Sequence, residues 1–411
     1  MKLRCYFCKK LFLLICGILI WLYPFLCFAE GLSPLEISEE RREDIAQEPK
    51  DSWVKQFNLM RDEFEKKYGT GFAFLTNYCQ QLVLHNEDRE GRSYYLWYSW
   101  LEIYQRLWKG SRLFLQLEGG NKKGIDGFIS TYSKFNSNSG DYAHPYVPAL
   151  YFEQKLFGDI VTIEAGKLDL SNWFDNNKVA NSADTQFLST ALVNNYVIPF
   201  PQKGIGGMVK FSPYEQVYFQ SGAGTADAHS TKIGISDAFN STLFLNELGF
   251  SPKIGNQQGN YRFLLFILRK NAALISDAFR SKKNQLGFAI SFDQEVSERI
   301  TLFARFGYDD PKINEIEYAW SSGVECREPI GGRKNDYCAF GVAQNILGRD
   351  YRRYSGLSNI ASRETILEGY YSFYINEFLS VTLDMQTVLE PLADKGADNP
   401  LAASARFLVV F

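Results

Sequence analysis

The chain has 411 residues, of which 44 are basic and 47 acidic, so its formal net charge is −3. This balance leaves no excess of positive charge to neutralise a nucleic-acid backbone, which excludes nucleic acid as a partner. The N-terminus holds the single apolar run that approaches the length of a membrane-spanning helix, which excludes a polytopic helical membrane protein. The 33 Phe, 24 Tyr and 7 Trp favour strands and rings of aromatic residues over a helical enzyme.

Residues 1–29 have the three parts of an export signal. Basic residues lie between Lys2 and Lys10, an apolar stretch covers residues 11–22, and a small-x-small site ends at Ala29. We predict a signal peptide over residues 1–29 with cleavage near Glu30. An uncleaved anchor helix is the less favoured alternative, because the apolar run is short and a cleavage site follows it.

Residues 30–70 form a second segment, predicted to lie in the periplasm. It begins as a polar, acidic linker that is expected to be solvated. Trp53, Phe57, Met60 and Phe64 then recur at helical spacing, which predicts a short amphipathic helix over residues 52–68 that ends at Gly69. We expect this helix to pack on the rim of the next domain; the alternatives are a docking helix or a partial plug.

Residues 71–411 change to a period of two, which indicates β-strands. In residues 379–389, for example, Leu379, Val381 and Leu383 alternate with polar residues. The strands are about ten residues long and about sixteen in number, with connections that alternate between short and long, as in bacterial outer-membrane barrels. Because open strand edges are not stable in lipid, the sheet has to close. We therefore predict an all-β fold, a transmembrane antiparallel β-barrel in the outer membrane, in contact with its lipid.

The end of the chain and two cysteines add details to this prediction. Residues 401–411 have apolar residues at alternate positions and end in the aromatic Phe411, which resembles the signal read by the barrel-assembly machinery. Counting strands places both barrel ends, and the turn between Cys326 and Cys338, on the periplasmic side. Oxidation could join these two cysteines, or they could remain reduced on neighbouring strands.

A barrel of this width is not filled by its own side chains, so function is expected where a loop narrows the lumen. The best candidate is the long connection over residues 169–202, whose rings and polar groups suit the faces and hydroxyls of sugars. The predicted sugar-binding residues are Asn172, Trp173, Asp175, Asn176, Asn177, Asp184, Gln186, Asn194 and Asn195. The predicted charged residues of the pore wall are Arg112, Glu118, Glu153, Glu164 and Arg305.

Motifs for catalysis and cofactor binding are missing from the sequence. His85, His144 and His229 lie in no recognisable nucleophile motif, and no segment has metal-ligand spacing. Residues 204–207 (GIGG) lack the later glycine of a dinucleotide loop. We predict no catalytic residue, no metal and no cofactor.

Six segments of the barrel domain together form a specific pattern: residues 166–169 (GKLD), 174–177 (FDNN), 184–188 (DTQFL), 193–201 (VNNYVIPFP), 348–351 (GRDY) and 363–371 (RETILEGYY). This pattern resembles that of the OprB-type carbohydrate-selective porins. The resemblance implies a sixteen-stranded outer-membrane barrel that passes mono- or oligosaccharides by diffusion through a loop-narrowed pore, without energy coupling. The alternatives are a non-selective diffusion porin and a barrel whose external loops bind a partner.

Overall fold

The computed structural model of the protein describes residues 53–121, 123–140 and 144–411. The predicted signal peptide and nearly all of the acidic linker lie outside the described residues. Within them, the dominant element is one antiparallel sheet.

The sheet has seventeen strands in the described part of the chain. They are β1 (Thr70–His85), β2 (Ser93–Arg106), β3 (Ser111–Asn121), β4 (Tyr146–Leu156), β5 (Val161–Leu168), β6 (Gly204–Tyr214), β7 (Val217–Thr225), β8 (Thr242–Phe250), β9 (Lys253–Ile254), β10 (Gln257–Leu274), β11 (Asp277–Glu295), β12 (Ile300–Tyr308), β13 (Ile316–Arg327), β14 (Tyr337–Leu347), β15 (Arg363–Tyr374), β16 (Leu379–Leu389) and β17 (Leu401–Val410). The α-helices there are α1 (Trp53–Tyr68), α2 (Thr190–Val193) and α3 (Arg349–Tyr354).

The sheet closes on itself. Leu75 of β1 is paired with Trp100 of β2 on one side and with Val410 of β17 on the other. The two-residue strand β9 pairs only with the start of β10, and β8 pairs directly with β10. Sixteen strands therefore form a closed barrel, which confirms the predicted fold.

The two faces of the strands are inverted relative to a soluble protein. On β16, Thr382 and Asp384 are buried and point inward, whereas Leu383 and Met385 are 51% and 53% exposed on the outside. A soluble sandwich would bury the apolar face and expose the polar one. An apolar outer face and a polar interior are what lipid around a barrel requires.

The connections divide the barrel into two rims. Short connections over residues 107–110, 157–160, 215–216 and 296–299 lie at the rim that also carries α1 and the end of β17; we call this the turn-side rim. The long connections over residues 122–145, 169–203, 226–241 and 348–362 start from the opposite, loop-side rim.

Helix α1 packs on the turn-side rim. Phe57 contacts Phe411 with ring centroids 6.1 Å apart, and Glu65 forms an ion pair with Arg106 of β2. The helix ends at Gly69, which has a φ of 70° and donates its N–H to the carbonyl of Glu65 at 2.8 Å. These contacts fix α1 to Phe411 and to β2.

Cys326 of β13 and Cys338 of β14 lie directly opposite each other in the strand register, as free thiols within hydrogen-bonding reach. Residues opposed in an antiparallel pair have Cα atoms about 4.5 to 5.5 Å apart, within the range of a disulfide. We expect thiol–disulfide exchange with an oxidised dithiol to join them within one chain. Mass spectrometry of the refolded protein should show the loss of two hydrogen atoms and a cross-linked peptide.

Cys338→Ser is the matched variant for this reaction, and the buried Cys79 of β1 should stay reduced in both proteins. Recovery of both thiols after oxidation, or cross-links between chains alone, would contradict the expectation.

Candidate functional site

The connection over residues 169–203, which we call the inserted loop, folds into the lumen. It begins with a 3-10 turn at Leu170–Asn172 and contains helix α2. Its apolar side chains pack against inward-facing residues of the barrel: Phe187 contacts Phe303 and Tyr370, with ring centroids 5.6 and 5.1 Å apart. The lumen is therefore narrowed by a packed segment that has a hydrophobic core of its own.

Carboxylates of the barrel wall accept hydrogen bonds from the backbone of the inserted loop. Glu368 of β15 accepts from the N–H groups of Leu188 and Ser189, the second at 3.0 Å. Glu247 of β8 accepts from the N–H of Asp175 at 2.8 Å. Because these N–H groups are buried away from water, the carboxylates replace solvent as their acceptors.

Arginines of the barrel wall donate hydrogen bonds to the carbonyl groups of the inserted loop. Arg305 of β12 donates to the carbonyls of Leu192 and Asp175, each at 2.9 Å. Its Nε also lies 3.2 Å from Oδ2 of Asp175, and both side chains are almost fully buried. Burial raises the pKa of Asp175, and the guanidinium of Arg305 opposes that rise. Arg406 of β17 donates to the carbonyl of Gln186 at 2.8 Å.

A second loop, over residues 122–145, is held similarly. The Asp126 carboxylate accepts from the N–H groups of Phe135 and Asn136 at 2.7 and 3.0 Å. Burial of this carboxyl raises its pKa to about 6. Glu364 of β15 accepts from the N–H of Ser133 at 2.6 Å. Both loops are thus fixed to the wall by buried carboxylates.

Five of the predicted sugar-binding residues are buried and anchor the inserted loop: Asp175, Asn177, Asp184, Gln186 and Asn195. Asn77 of β1 donates to Asp184 at 3.0 Å, and Asn177 donates to the carbonyl of Phe292 at 3.1 Å. None of the five lines either cavity described below, and their role in sugar binding stays a prediction. A polar side chain in this loop can form hydrogen bonds with buried backbone groups as readily as with a solute.

The predicted wall residues also have partners. Arg112 forms an ion pair with Glu153 at 2.8 Å, and Glu164 accepts a hydrogen bond from the indole N–H of Trp173 at 2.8 Å. Arg305 is covered by the inserted loop. Glu118 is the member of this set that lines a cavity.

One cavity, the turn-side cavity, opens towards the short connections and has a volume of about 400 Å³. The predicted residues Asn172, Trp173 and Asn176 line it. It is also lined by further rings and amides, which are Phe114, Tyr151, Tyr214, Tyr218, Gln116, Gln220 and Asn260. Aromatic faces and hydrogen-bonding amides therefore meet in one space.

A second cavity, the loop-side cavity, has a volume of about 510 Å³ and opens towards the long loops. The predicted residue Asn194 lines it, together with Glu118 and His229. The two cavities share the lining residues Asp169 and Lys203, which lie at the two ends of the inserted loop.

Sequence reasoning missed Lys203, Gln116 and the rings of Phe114, Tyr151 and Tyr218. Alternation along β3 places Gln116 and Phe114 on the inward face, so the strand pattern contained a signal for them. Lys203 ends a loop without periodicity, so nothing in its local sequence marks it.

The described residues contain no helix long and apolar enough to cross a membrane. In the same part of the chain, no three His, Cys, Asp or Glu side chains are grouped so that they could hold a metal ion.

The chain is similar to known porins. Residues 116–411 match the family described as "Carbohydrate-selective porin, OprB family". The chain is 25% identical over 293 residues to porin AaxA of Chlamydia felis, an alignment that covers 70% of this chain and 60% of that protein. It is 23% identical over 201 residues to porin B of Pseudomonas aeruginosa, covering 40% and 44% of the two chains. The match thus spans about three fifths of the length of the AaxA relative.

Solved structures agree on the fold. The high-pH structure of Pseudomonas putida OprB superimposes with a TM-score of 0.75 at 18% identity, covering 86% of this chain and 97% of that one. The predicted resemblance to the family is confirmed.

Arg305→Met should destabilise the protein by about 3–5 kcal/mol, because it leaves the buried Asp175 carboxylate unpaired and removes donors from two loop carbonyls. Chemical unfolding in detergent micelles measures this loss. Arg299→Met is the matched control: Arg299 pairs with Glu328 on an exposed rim and should cost about 1 kcal/mol or less. Equal losses in the two variants would contradict an anchoring role.

Asp126 should make stability depend on pH. Its folded pKa of about 6 lies above the ordinary value, so the folded protein holds the proton more tightly than the unfolded chain. The stabilisation is fully present below about pH 4 and is lost as the pH rises through about 6. Between these limits the wild type should lose up to about 3 kcal/mol relative to Asp126→Asn, measured by chemical unfolding. Asp88→Asn, in an exposed loop, should parallel the wild type; a constant offset for Asp126→Asn would contradict the expectation.

Proposed function

The chain belongs to the OprB family of carbohydrate-selective porins, and we propose that it passes sugars by diffusion through the lumen narrowed by the inserted loop. The barrel lies in the bacterial outer membrane. The turn-side cavity is the observation that supports a sugar as the solute most strongly, because it combines aromatic faces with amides in a space of about 400 Å³.

The rings of this cavity are held in place. The indole of Trp173 is fixed by its hydrogen bond to Glu164, and Phe114 stacks on Tyr151 with centroids 4.8 Å apart and planes 12° apart. Flat rings in fixed positions suit the C–H faces of a pyranose. The amide of Asn172 supplies both donors and an acceptor for hydroxyl groups at the same place. The amide of Asn176 donates to the carbonyls of Asn172 and Trp173 and so supports this part of the loop.

The charges of the cavity favour a neutral solute. Its lining contains three acidic and three basic residues, which are Glu102, Asp169, Glu215, Lys203, Lys210 and Arg262. Arg262 is itself paired with Asp293 at 2.9 Å. A lining without a dominant sign of charge discriminates by stacking and hydrogen bonds, and binding of that kind is weak enough to let the solute leave.

The orientation and assembly of the barrel follow as part of the proposal. The turn-side rim with α1 faces the periplasm, and the long loops face outward. Phe411 supports a role in assembly, since it pairs with Phe74 of β1 and packs on Phe378, so that it completes closure of the barrel.

Single-channel recording in a planar bilayer tests the function, with glucose and maltose added to the refolded protein. We expect open channels whose ion current falls saturably with sugar. Trp173→Ala should raise the half-blocking sugar concentration roughly 2- to 10-fold, because one stacking surface is lost. Its ion conductance should be unchanged or higher.

Trp108→Ala is the matched control, because Trp108 lies 60% exposed at the turn-side rim, outside both cavities. An unchanged block in Trp173→Ala would remove Trp173 from the site. Wild-type channels indifferent to both sugars would favour a non-selective porin. A folded barrel without channels would favour a barrel whose loops bind a partner.

A further inference from the structure

Lys203 lines both cavities, as does Asp169 at the other end of the inserted loop. Nζ of Lys203 lies 3.0 Å from Oε1 of Gln116 and 3.2 Å from Oε2 of Glu118. Gln116 lines the turn-side cavity, Glu118 lines the loop-side cavity, and Lys203 lines both. The ammonium group therefore lies at the boundary between the two cavities.

The surroundings of Lys203 hold the ammonium at this position. Gln116 and Glu118 are two residues apart on the inward face of β3, so one ammonium can bond to both. The ring of Trp100 on β2 lies beneath it, with Nζ 5.0 Å from the ring centroid. Tyr146 donates its hydroxyl to Glu118, so the carboxylate is fixed from its other side.

Burial makes the charge of this group consequential. Lys203 is 5% exposed and Glu118 is 4% exposed, so neither charge is fully screened by water. The charges of Lys203 and Glu118 are opposite, so the pair itself is nearly neutral. Removing the ammonium takes one positive charge away from the boundary between the cavities and makes it more negative.

We propose that Lys203 is the residue that closes the passage between the two cavities and sets its charge preference. In the empty channel its ammonium bonds to Gln116 and Glu118, joining the inserted loop to β3. A passing solute replaces these acceptors with its own hydroxyl oxygens, while the lysine stem turns towards one cavity. The exchange of these acceptors for the hydroxyl oxygens of a sugar rests on the proposed function, whereas the effect of Lys203 on ions does not.

Lys203→Met, which keeps an unbranched side chain close to the length of the lysine stem and removes the ammonium, tests the effect on ions. In a planar bilayer with a KCl gradient and no sugar, the variant should conduct about twofold more than the wild type. Its reversal potential should shift towards cation preference. Lys203→Arg keeps the charge and should restore the wild-type reversal potential.

Lys178→Met is the matched control. Lys178 belongs to the same loop and pairs with Glu295, but it lines neither cavity. The same chemical change there should move conductance and reversal potential much less. Glu118→Gln changes the charge at the same boundary in the opposite direction: it removes one negative charge and should shift the reversal potential towards anions.

Two outcomes would overturn the proposal. One is a wild-type conductance and reversal potential in both Lys203→Met and Glu118→Gln. The other is an equal response in Lys178→Met.

Sugar block separates this proposal from the function itself. If glucose blocks the wild type saturably, Lys203→Met should raise the half-blocking concentration several-fold, and an unchanged value would overturn the exchange of hydrogen-bond acceptors. If glucose does not block the wild type, the proposed sugar function fails, and the ion measurements still decide whether Lys203 closes the passage.

Discussion

The structure depends on the need of buried backbone groups for hydrogen-bond partners. Sixteen strands satisfy one another by closing the barrel, but the loop that enters the lumen brings N–H and C=O groups without partners of their own. Glu368 and Glu247 supply acceptors for them, and Arg305 and Arg406 supply donors. These four inward-facing charges therefore support the loop.

The barrel fold could be predicted from the sequence, whereas the roles of individual residues in the lumen could not. Alternation on strands such as β16 reveals the fold because lipid outside and polar groups inside leave opposite marks on adjacent residues. The inserted loop was also identified, and Trp173 does line a cavity. The roles of individual polar residues were not separable: Asp175 and Asn172 belong to the same loop and are both short polar side chains, yet Asp175 is buried and Asn172 lines the turn-side cavity.

The missing information is the pairing of distant segments. Asp175 and Arg305 are 130 residues apart, and Lys203 and Gln116 are 87 residues apart. Each pair meets only because the sheet closes and brings β12 or β3 beside the loop. No local pattern in a single sequence records such a meeting, so the anchoring arginine was predicted as a pore-wall charge and the lysine at the boundary of the cavities was not predicted at all.

In the proposed function, anchoring and selectivity are divided between different side chains of one loop. The buried ion pair of Asp175 and Arg305 fixes where the loop runs, and a fixed loop holds Trp173 and Lys203 at constant positions in the cavity lining. If the loop were flexible, each binding event would have to order it, and that entropic cost would offset the free energy gained from stacking and hydrogen bonds. Because the buried ion pair has already ordered the loop, the cavity-lining residues can bind a solute weakly and still distinguish one solute from another. Weak but selective binding allows a channel both to select a solute and to release it.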